Sequence, residues 1–236
     1  MARRAKGGAK SRTVTPPSGR PFSSVIFDYG QVLTHRPRAP VLRRIAQVFG
    51  LRVDDLPEIY AQSRPPYDKG ELSPREYWER FALGTGTSIS PELIEKLRRW
   101  DIELWSDVDQ RMVDWVQALR ATGIKTALLS NMPHDMIDHV RENFAWLSSF
   151  DVQVLSAELG IVKPDPPIYR ECLARLGATA RETLFLDDRE VNVRAADAIG
   201  LVGLHVGSFP QLRRDLAGLG VAPLPRSSAR RTRPKQ

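Results

Sequence analysis

The sequence predicts an α/β protein in which a parallel β-sheet is interrupted, directly after its first strand, by an all-helical insertion. Short apolar runs bounded by polar or turn residues recur along the chain, as buried parallel strands do. These runs alternate with segments of helical spacing, which favours strand–helix–strand units. One long interval after the first run contains helical patterns only. Together these three observations predict the fold class.

The sheet is predicted to contain about five parallel strands. The apolar runs that form them are residues 25–27, 125–129, 152–155, 183–186 and 201–206. Helical patterns fill the intervals at about residues 108–122, 135–142, 166–176 and 191–199. Gly123, Gly177 and Gly200 follow three of these segments, and glycine is common just after the last residue of a helix. This alternation predicts helices on both faces of the sheet.

The insertion is predicted to contain about four helices between residues 38 and 102. One of them has a clear start, because Ser73, Pro74 and Glu76 combine an N-cap, a proline in the first turn and a capping box. Ser90 and Pro91 repeat most of this signature. We therefore assign residues 37–105 to a helical insertion and residues 21–36 and 106–221 to the α/β core.

The positive net charge of the chain comes from its two ends. Residues 1–20 and 222–236 contain eleven of the 35 basic residues and no acidic residue, so the body carries 24 basic and 28 acidic side chains. Both ends are rich in Gly, Pro and Ser, a composition typical of disordered tails. We expect solvated tails, with weak nucleic-acid contact through the basic residues as the alternative.

The composition is that of an ordinary globular protein, with 42% hydrophobic and 27% charged residues. No apolar stretch approaches the roughly 20 residues of a membrane span, and the N-terminus lacks the apolar region of a signal peptide. The single cysteine, Cys172, lies in a helical pattern and is expected to be buried. These features predict a cytoplasmic protein without a membrane partner, either a monomer or a homodimer.

Polar groups follow four of the predicted strands. Asp28 follows the first, Ser130 and Asn131 the second, Lys163 lies shortly after the third, and Asp187 and Asp188 end the fourth. In an open parallel sheet, the carboxyl ends of the strands form the ligand crevice. Adjacent carboxylates repel each other unless a cation lies between them. The pattern predicts a site for a divalent cation and a phosphate-like anion.

These residues also carry a resemblance to a known family. The four segments are Phe27-Asp28-Tyr29-Gly30-Gln31-Val32-Leu33, Leu129-Ser130-Asn131, Val162-Lys163-Pro164-Asp165 and Phe185-Leu186-Asp187-Asp188. In this order they resemble the four motifs of the haloacid dehalogenase-like (HAD) hydrolase superfamily, over about residues 22 to 209. The resemblance implies a Rossmann-like parallel sheet core with an inserted all-helical cap. It also implies a Mg²⁺-dependent phosphatase.

The resemblance implies a role for each matching residue. Asp28 would be the nucleophile that forms an aspartyl phosphate. Lys163 and Ser130 would act on the transferring phosphoryl group, and Asn131 would add a backbone amide.

The implied cation would be held by oxygen ligands, as Mg²⁺ prefers. Asp28, the carbonyl of Gly30 and Asp188 would bind it directly, and Asp187 would act through water. Asn192, one helical turn beyond Asp188, is a candidate to support the two acids.

The chain departs from the commoner family pattern at Gly30. Many family phosphatases have a second aspartate at this position, which protonates the leaving group and then activates water. Glycine cannot carry a proton. His35, shortly after the motif, is the first candidate replacement.

Substrate selection is expected to come from the helical cap. The polar segment around Gly70 lies between two predicted helices, and its Lys69 and Glu71 are candidate substrate-binding residues. The substrate implied is a small phosphorylated metabolite, with a sugar phosphate as the candidate. Two alternatives stay open: a metal-independent 2-haloacid dehalogenase, and a non-catalytic binding or regulatory protein that has kept the fold.

Overall fold

The computed structural model describes residues 22–219, and the predicted basic tails at 1–20 and 222–236 lie outside these residues. A five-stranded parallel sheet forms the centre, in the order β3-β2-β1-β4-β5. The strands are β1 (Ser24–Phe27), β2 (Lys125–Ser130), β3 (Val152–Leu155), β4 (Thr183–Asp187) and β5 (Val202–His205). The predicted α/β fold with a parallel sheet is therefore confirmed.

Helices cover both faces of the sheet. After the first five helices, the chain forms α6 (Gln110–Ala121), α7 (His134–Asn143), α8 (Ser156–Leu159), α9 (Pro166–Leu176), α10 (Glu190–Ala198) and α11 (Phe209–Gly218). Two short 3₁₀ helices span Ala145–Ser149 and Ala180–Glu182. One apolar cluster packs α6, α7 and α11 against the sheet, and a second packs α9 and α10 against its other face.

The interval between β1 and α6 contains five helices, which we call the helical cap. They are α1 (Ala39–Val48), α2 (Leu56–Ser63), α3 (Pro65–Asp68), α4 (Pro74–Gly84) and α5 (Pro91–Leu104). A third apolar cluster joins buried side chains from residue 41 to residue 104. Five of its fourteen buried side chains are aromatic, with Phe49 and Trp78 stacked and Tyr77 edge-on to Trp78. The cap thus has a hydrophobic core of its own.

Three helix starts show how well local signals predict boundaries. Ser73 forms the predicted capping box with Glu76, and Ser90 caps α5 through the amide of Leu93. The third start has no capping side chain. Pro65 begins the short helix α3, where proline at the first helical position lacks an amide that would have no intrahelical partner.

Two further sequence expectations concern membrane spans and the cysteine. Among the described helices, none is long and apolar enough to cross a membrane. Cys172 lies on α9 with its side chain fully buried, and burial raises the pKa of its thiol to about 12. A thiol in this setting stays protonated and packs as a small apolar group.

The cap core generates a stability prediction. Leu97 on α5 is fully buried, whereas Leu83 on α4 is 81% exposed. Leu97→Ala should lower the free energy of unfolding by about 2–5 kcal/mol, because it removes buried methyl groups and leaves a cavity. The matched Leu83→Ala should change it by less than about 0.5 kcal/mol. Urea unfolding of both variants checks this, and equal losses would contradict the packing described.

Candidate active site

The carboxyl ends of the three central strands bring the predicted acidic residues together. β1 lies between β2 and β4, and Phe27 is in register with Leu128 and with Leu186. Asp28 directly follows β1, and its amide donates to the carbonyl of Leu186. Asp187 is the last residue of β4. The strand register therefore places the side chain of Asp28 beside the Asp187–Asp188 pair.

Lys163 lies between two of these carboxylates. Its ammonium Nζ is 2.7 Å from Oδ1 of Asp28 and 2.7 Å from Oδ2 of Asp187, and the residue is 2% exposed. Burial alone would lower the pKa of Lys163, but the two carboxylates raise it above its ordinary value. The side chain is therefore a permanent cation at the wall of the site.

Asn131 holds the backbone of Lys163. Its side-chain Nδ2 donates to the carbonyl of Lys163 at 2.9 Å, and its Oδ1 accepts from the amide of Lys163 at 2.8 Å. The sequence analysis expected Asn131 to bind substrate through its own backbone. The structure shows that the side chain fixes the loop that carries the ammonium group.

Asp187 is fully buried and surrounded by donors. Its carboxylate accepts from Lys163, from the amide of Arg189 at 2.8 Å and from Nδ2 of Asn192 at 3.0 and 3.1 Å. Asn192 thus supports the acid pair, as the sequence suggested. Because its oxygens accept from these N–H groups, Asp187 mainly holds the Lys163 side chain and the turn that follows β4 in position.

Asp28, Asp187 and Asp188 form the cluster in which a cation would fit. One carboxylate oxygen from each residue lies within 4.8 Å of the others. Burial raises the pKa of Asp28 to about 7 against the opposing effect of Lys163, and burial together with Asp187 raises that of Asp188 to about 6. Three carboxylates facing one ammonium leave a formal charge of −2, which a divalent cation balances. The all-oxygen donor set suits Mg²⁺.

Gln31 is a site residue that the sequence analysis missed. Its Nε2 donates to Oδ2 of Asp188 at 2.6 Å, and its φ of 56° is in the left-handed region. The turn that contains it is closed by hydrogen bonds from Leu33 and Thr34 to the carbonyl of Tyr29. The only sequence signal was its position within the first motif.

A cavity of about 470 Å³ opens from these acids into the cap. Asp28, Ser130, Lys163 and Asp188 line its floor. The apolar part of its wall consists of Pro37, Leu42, Leu56, Pro57, Ala61, Leu104, Trp105, Met132, Pro133 and Met136. Arg36, Tyr60, Arg64, Asp68, Arg189 and Asn192 are polar members of the lining. The volume suits a small-molecule ligand.

In the cap segment around Gly70, the residue that lines this cavity is neither of the two candidate substrate-binding residues. Lys69 and Glu71 are not among the lining residues of the described chain, and Glu71 is exposed. Asp68 takes their place. The reason lies at Gly70, whose φ is 75° and where an added Cβ would come within 2.7 Å of His134 and 2.9 Å of the carbonyl of Ala157. This backbone packs directly on the core, so the residues beside Gly70 flank a tight contact.

His35 also lies away from the cavity. Its imidazole is 3.9 Å from Asp109, half of the side chain is exposed, and within residues 22–219 it lines a different depression. It is therefore not placed to replace the acid that Gly30 lacks.

Comparison with known proteins identifies the family. The model of the haloacid dehalogenase-like hydrolase family matches residues 21–200. The chain belongs to the haloacid dehalogenase-like hydrolases. It is therefore a hydrolase-family protein, and the resemblance carried by its four motifs is confirmed.

Two relatives and one solved structure illustrate this membership. The chain is 29% identical over 187 residues to a sesquiterpene phosphatase of Aspergillus oryzae, covering 78% of the chain and 90% of the relative. It is 32% identical over 205 residues to a chloroplast flavin mononucleotide hydrolase of Arabidopsis thaliana, covering 86% and 79%. A HAD family enzyme from Bacteroides thetaiotaomicron, solved as a magnesium complex, shares the fold with a TM-score of 0.67, 22% identity and coverage of 83% and 100%.

The position of Lys163 generates a prediction about stability. Lys163→Met should lower the free energy of unfolding by about 3–5 kcal/mol, because it leaves Asp28 and Asp187 buried without their shared cation. Lys69→Met is the matched control and should change stability by less than about 0.5 kcal/mol. Urea unfolding in metal-free buffer measures both. Equal stability of the two variants would show that Lys163 is not the counter-ion of these acids.

Proposed function

We propose that this protein is a Mg²⁺-dependent phosphatase that hydrolyses a small phosphorylated metabolite through an aspartyl-phosphate intermediate. The observation that supports this most directly is the arrangement of Lys163 between Asp28 and Asp187, with Asp188 beside them. A carboxylate nucleophile, a buried cation and a group of metal-binding oxygens meet at one point of the cavity. The phosphatase and hydrolase relatives support the same reaction class.

Each residue has a distinct part in the proposed reaction. Asp28 attacks phosphorus, while Lys163 attracts the anionic phosphoryl group towards it and partly neutralises the charge between them. Ser130, buried at the end of β2, offers a hydroxyl to a phosphoryl oxygen. Asp28, Asp188 and the carbonyl of Gly30 would hold Mg²⁺, which when bound stabilises negative charge on the phosphoryl oxygens.

The cavity wall favours a substrate with an apolar body. Nine leucine, methionine, proline and tryptophan side chains line the cavity beside its polar groups. A hydrocarbon or aromatic group gains free energy on leaving water for such a surface, whereas sugar hydroxyls would lose hydrogen bonds there. The sesquiterpene phosphatase among the relatives is consistent with this preference. We therefore favour phosphate esters of apolar alcohols over the sugar phosphates considered from the sequence.

The nucleophile is tested by Asp28→Asn. The amide is nearly isosteric but far less nucleophilic, so hydrolysis of p-nitrophenyl phosphate with Mg²⁺ should fall by several orders of magnitude. Asp114→Asn, an exposed substitution on α6, is the control and should keep the parent rate. A near-parent rate in Asp28→Asn would exclude covalent catalysis by this residue.

The metal requirement is tested by titration with Mg²⁺ after removal of metal by EDTA. Asp188→Ala should raise the Mg²⁺ concentration needed for half-maximal rate by about 10–100-fold, and by more than Asp187→Ala does. The reason is that Asp187 is occupied by Lys163 and Asn192. The reverse order would exchange their roles. Full activity with EDTA, together with halide release from 2-chloropropionate, would instead support the dehalogenase alternative.

The substrate preference is tested by comparing farnesyl monophosphate with glucose 6-phosphate. The value of kcat/KM should be at least about tenfold higher for the apolar ester. Leu42→Gln, which places an amide in the cavity wall, should lower kcat/KM for the farnesyl ester and leave that for acetyl phosphate unchanged. Leu93→Gln, in the cap but outside the cavity lining, is the control. A sugar phosphate turned over faster than the apolar ester would overturn this preference.

A further inference from the structure

Trp105 packs closely against Gly30, the position at which many family phosphatases carry a second aspartate. A Cβ added to Gly30 would lie 3.1 Å from Cζ3 of the indole. The ring is held by a hydrogen bond from its Nε1 to the hydroxyl of Tyr60 at 3.2 Å, and the hydroxyl of Tyr29 donates to the Trp105 carbonyl at 2.9 Å. The proton for the leaving group must therefore come from elsewhere in the cavity.

Asp68 of the cap is a carboxyl group on the wall of the same cavity and is 7% exposed. Its Oδ1 accepts both contacts from Arg64, at 2.9 Å from Nε and 2.7 Å from Nη2. Among the residues that the structure describes, no donor reaches its Oδ2 within hydrogen-bonding distance. One oxygen is thus fixed by the guanidinium, and the other is free to carry a proton into the cavity.

The charges around Arg64 favour a protonated Asp68. Arg64 is shared by two buried acids, because its Nη1 also donates to Asp101 at 2.8 Å. Asp101 accepts a further hydrogen bond from the hydroxyl of Tyr60. Two ionised carboxylates against one guanidinium would leave a buried net charge of −1, which is costly. Both oxygens of Asp101 accept from donors, whereas Oδ2 of Asp68 does not, so the proton belongs on Asp68. Burial raises the pKa of Asp68 against the opposing charges of Arg64 and Arg189, and it raises the pKa of Asp101 as well, so the pair favours holding one proton.

The position of Asp68 relative to the nucleophile follows from its neighbours on two strands. Its carbonyl accepts from the hydroxyl of Ser156, and that hydroxyl accepts from the amide of Met132 at 2.8 Å. Met132 is two residues beyond Ser130 at the end of β2. On the other side, Asp68 lies within range of the charge of Arg189, which follows the end of β4. Asp28 follows the strand between these two, and it lines the same cavity as Asp68.

We propose that Asp68 is the general acid and base of the reaction, in the role that Gly30 cannot fill. This inference rests on the proposed phosphatase function. In the first step, Asp28 forms a bond to phosphorus, the bond from phosphorus to the leaving oxygen breaks, and that oxygen takes the proton of Asp68. In the second step, water attacks phosphorus, the Asp28–phosphorus linkage breaks, and the water proton returns to Asp68. The products are an alcohol and inorganic phosphate, and both carboxyl groups end as they began.

The test is a series of phosphate esters with leaving groups of rising pKa: p-nitrophenyl, phenyl and farnesyl phosphate. In Asp68→Asn, kcat/KM should fall by about 10²–10⁴-fold for phenyl and farnesyl phosphate, whose leaving groups need a proton. It should change less than about threefold for p-nitrophenyl phosphate. The same variant should show a burst of one p-nitrophenolate per enzyme molecule, because the phosphoenzyme lacks the base that activates water.

Asp135→Asn is the control for disturbance of the cap. Asp135 accepts from Tyr67 and Arg98 between cap and core, and it is outside the cavity lining of the described chain. It should keep the parent dependence on leaving group and show no burst. An equal loss for all three esters in Asp68→Asn, or no loss, would overturn the role of Asp68. A parent protein inactive towards every ester would overturn the proposed phosphatase function first.

Discussion

The site depends on one buried ammonium group held between two carboxylates. Lys163 balances Asp28 and Asp187 at 2.7 Å each, in a place where an unpaired charge of either sign would be expensive. The neighbouring structure serves this contact. Asn131 fixes the peptide of Lys163 from β2, and Asn192 and the amide of Arg189 complete the shell of Asp187 from β4. Three strands and two loops are thus joined through a single cation.

The cap is attached to the core by a second polar arrangement. Arg64 lies among the rings of Tyr60, Tyr67 and Tyr77 and pairs with acids on α3 and α5. Tyr67 extends this arrangement to Asp135 at the start of α7, and its hydroxyl donates to that carboxylate at 2.7 Å. Cation–π contacts and hydrogen bonds are directional, so they fix the orientation of the cap as well as its attachment. A defined orientation is what the lining of a specific cavity requires.

Much of the fold and part of the site could be predicted from the sequence. The strands were readable because buried parallel strands are short continuous apolar runs, and their polar ends necessarily converge when the sheet is parallel. Asp28, Ser130, Lys163, Asp187 and Asp188 meet for this reason. Gln31 was missed, and the contact of the Asn131 side chain with Lys163 was not foreseen, because both depend on hydrogen bonds across the chain, at sequence separations of 157 and 32 residues.

The cap residues that line the cavity were less predictable than the residues at the strand ends that form its floor. Lys69 and Glu71 are polar neighbours of a glycine in a connecting segment, a common property of ligand-binding loops. Which residue of that segment faces the cavity depends on the close approach of Gly70 to His134 and Ala157, a contact between distant parts of the chain. The periodicity and the polarity of a sequence carry no information about such a contact. The buried ion pair that selects Asp68 is equally invisible, because Arg64 and Asp68 look like an ordinary surface pair at helical spacing.

The contact between Trp105 and Gly30 also constrains how this chain can change over evolutionary time. An aspartate Cβ at residue 30 would require the indole to shift by a few tenths of an ångström, and a smaller residue at 105 would leave more room for it. The effect of a substitution at residue 30 therefore depends on whether the side chain at residue 105 can shift, so the two positions are coupled. This steric coupling exists whether or not an acid at residue 30 would improve the chemistry.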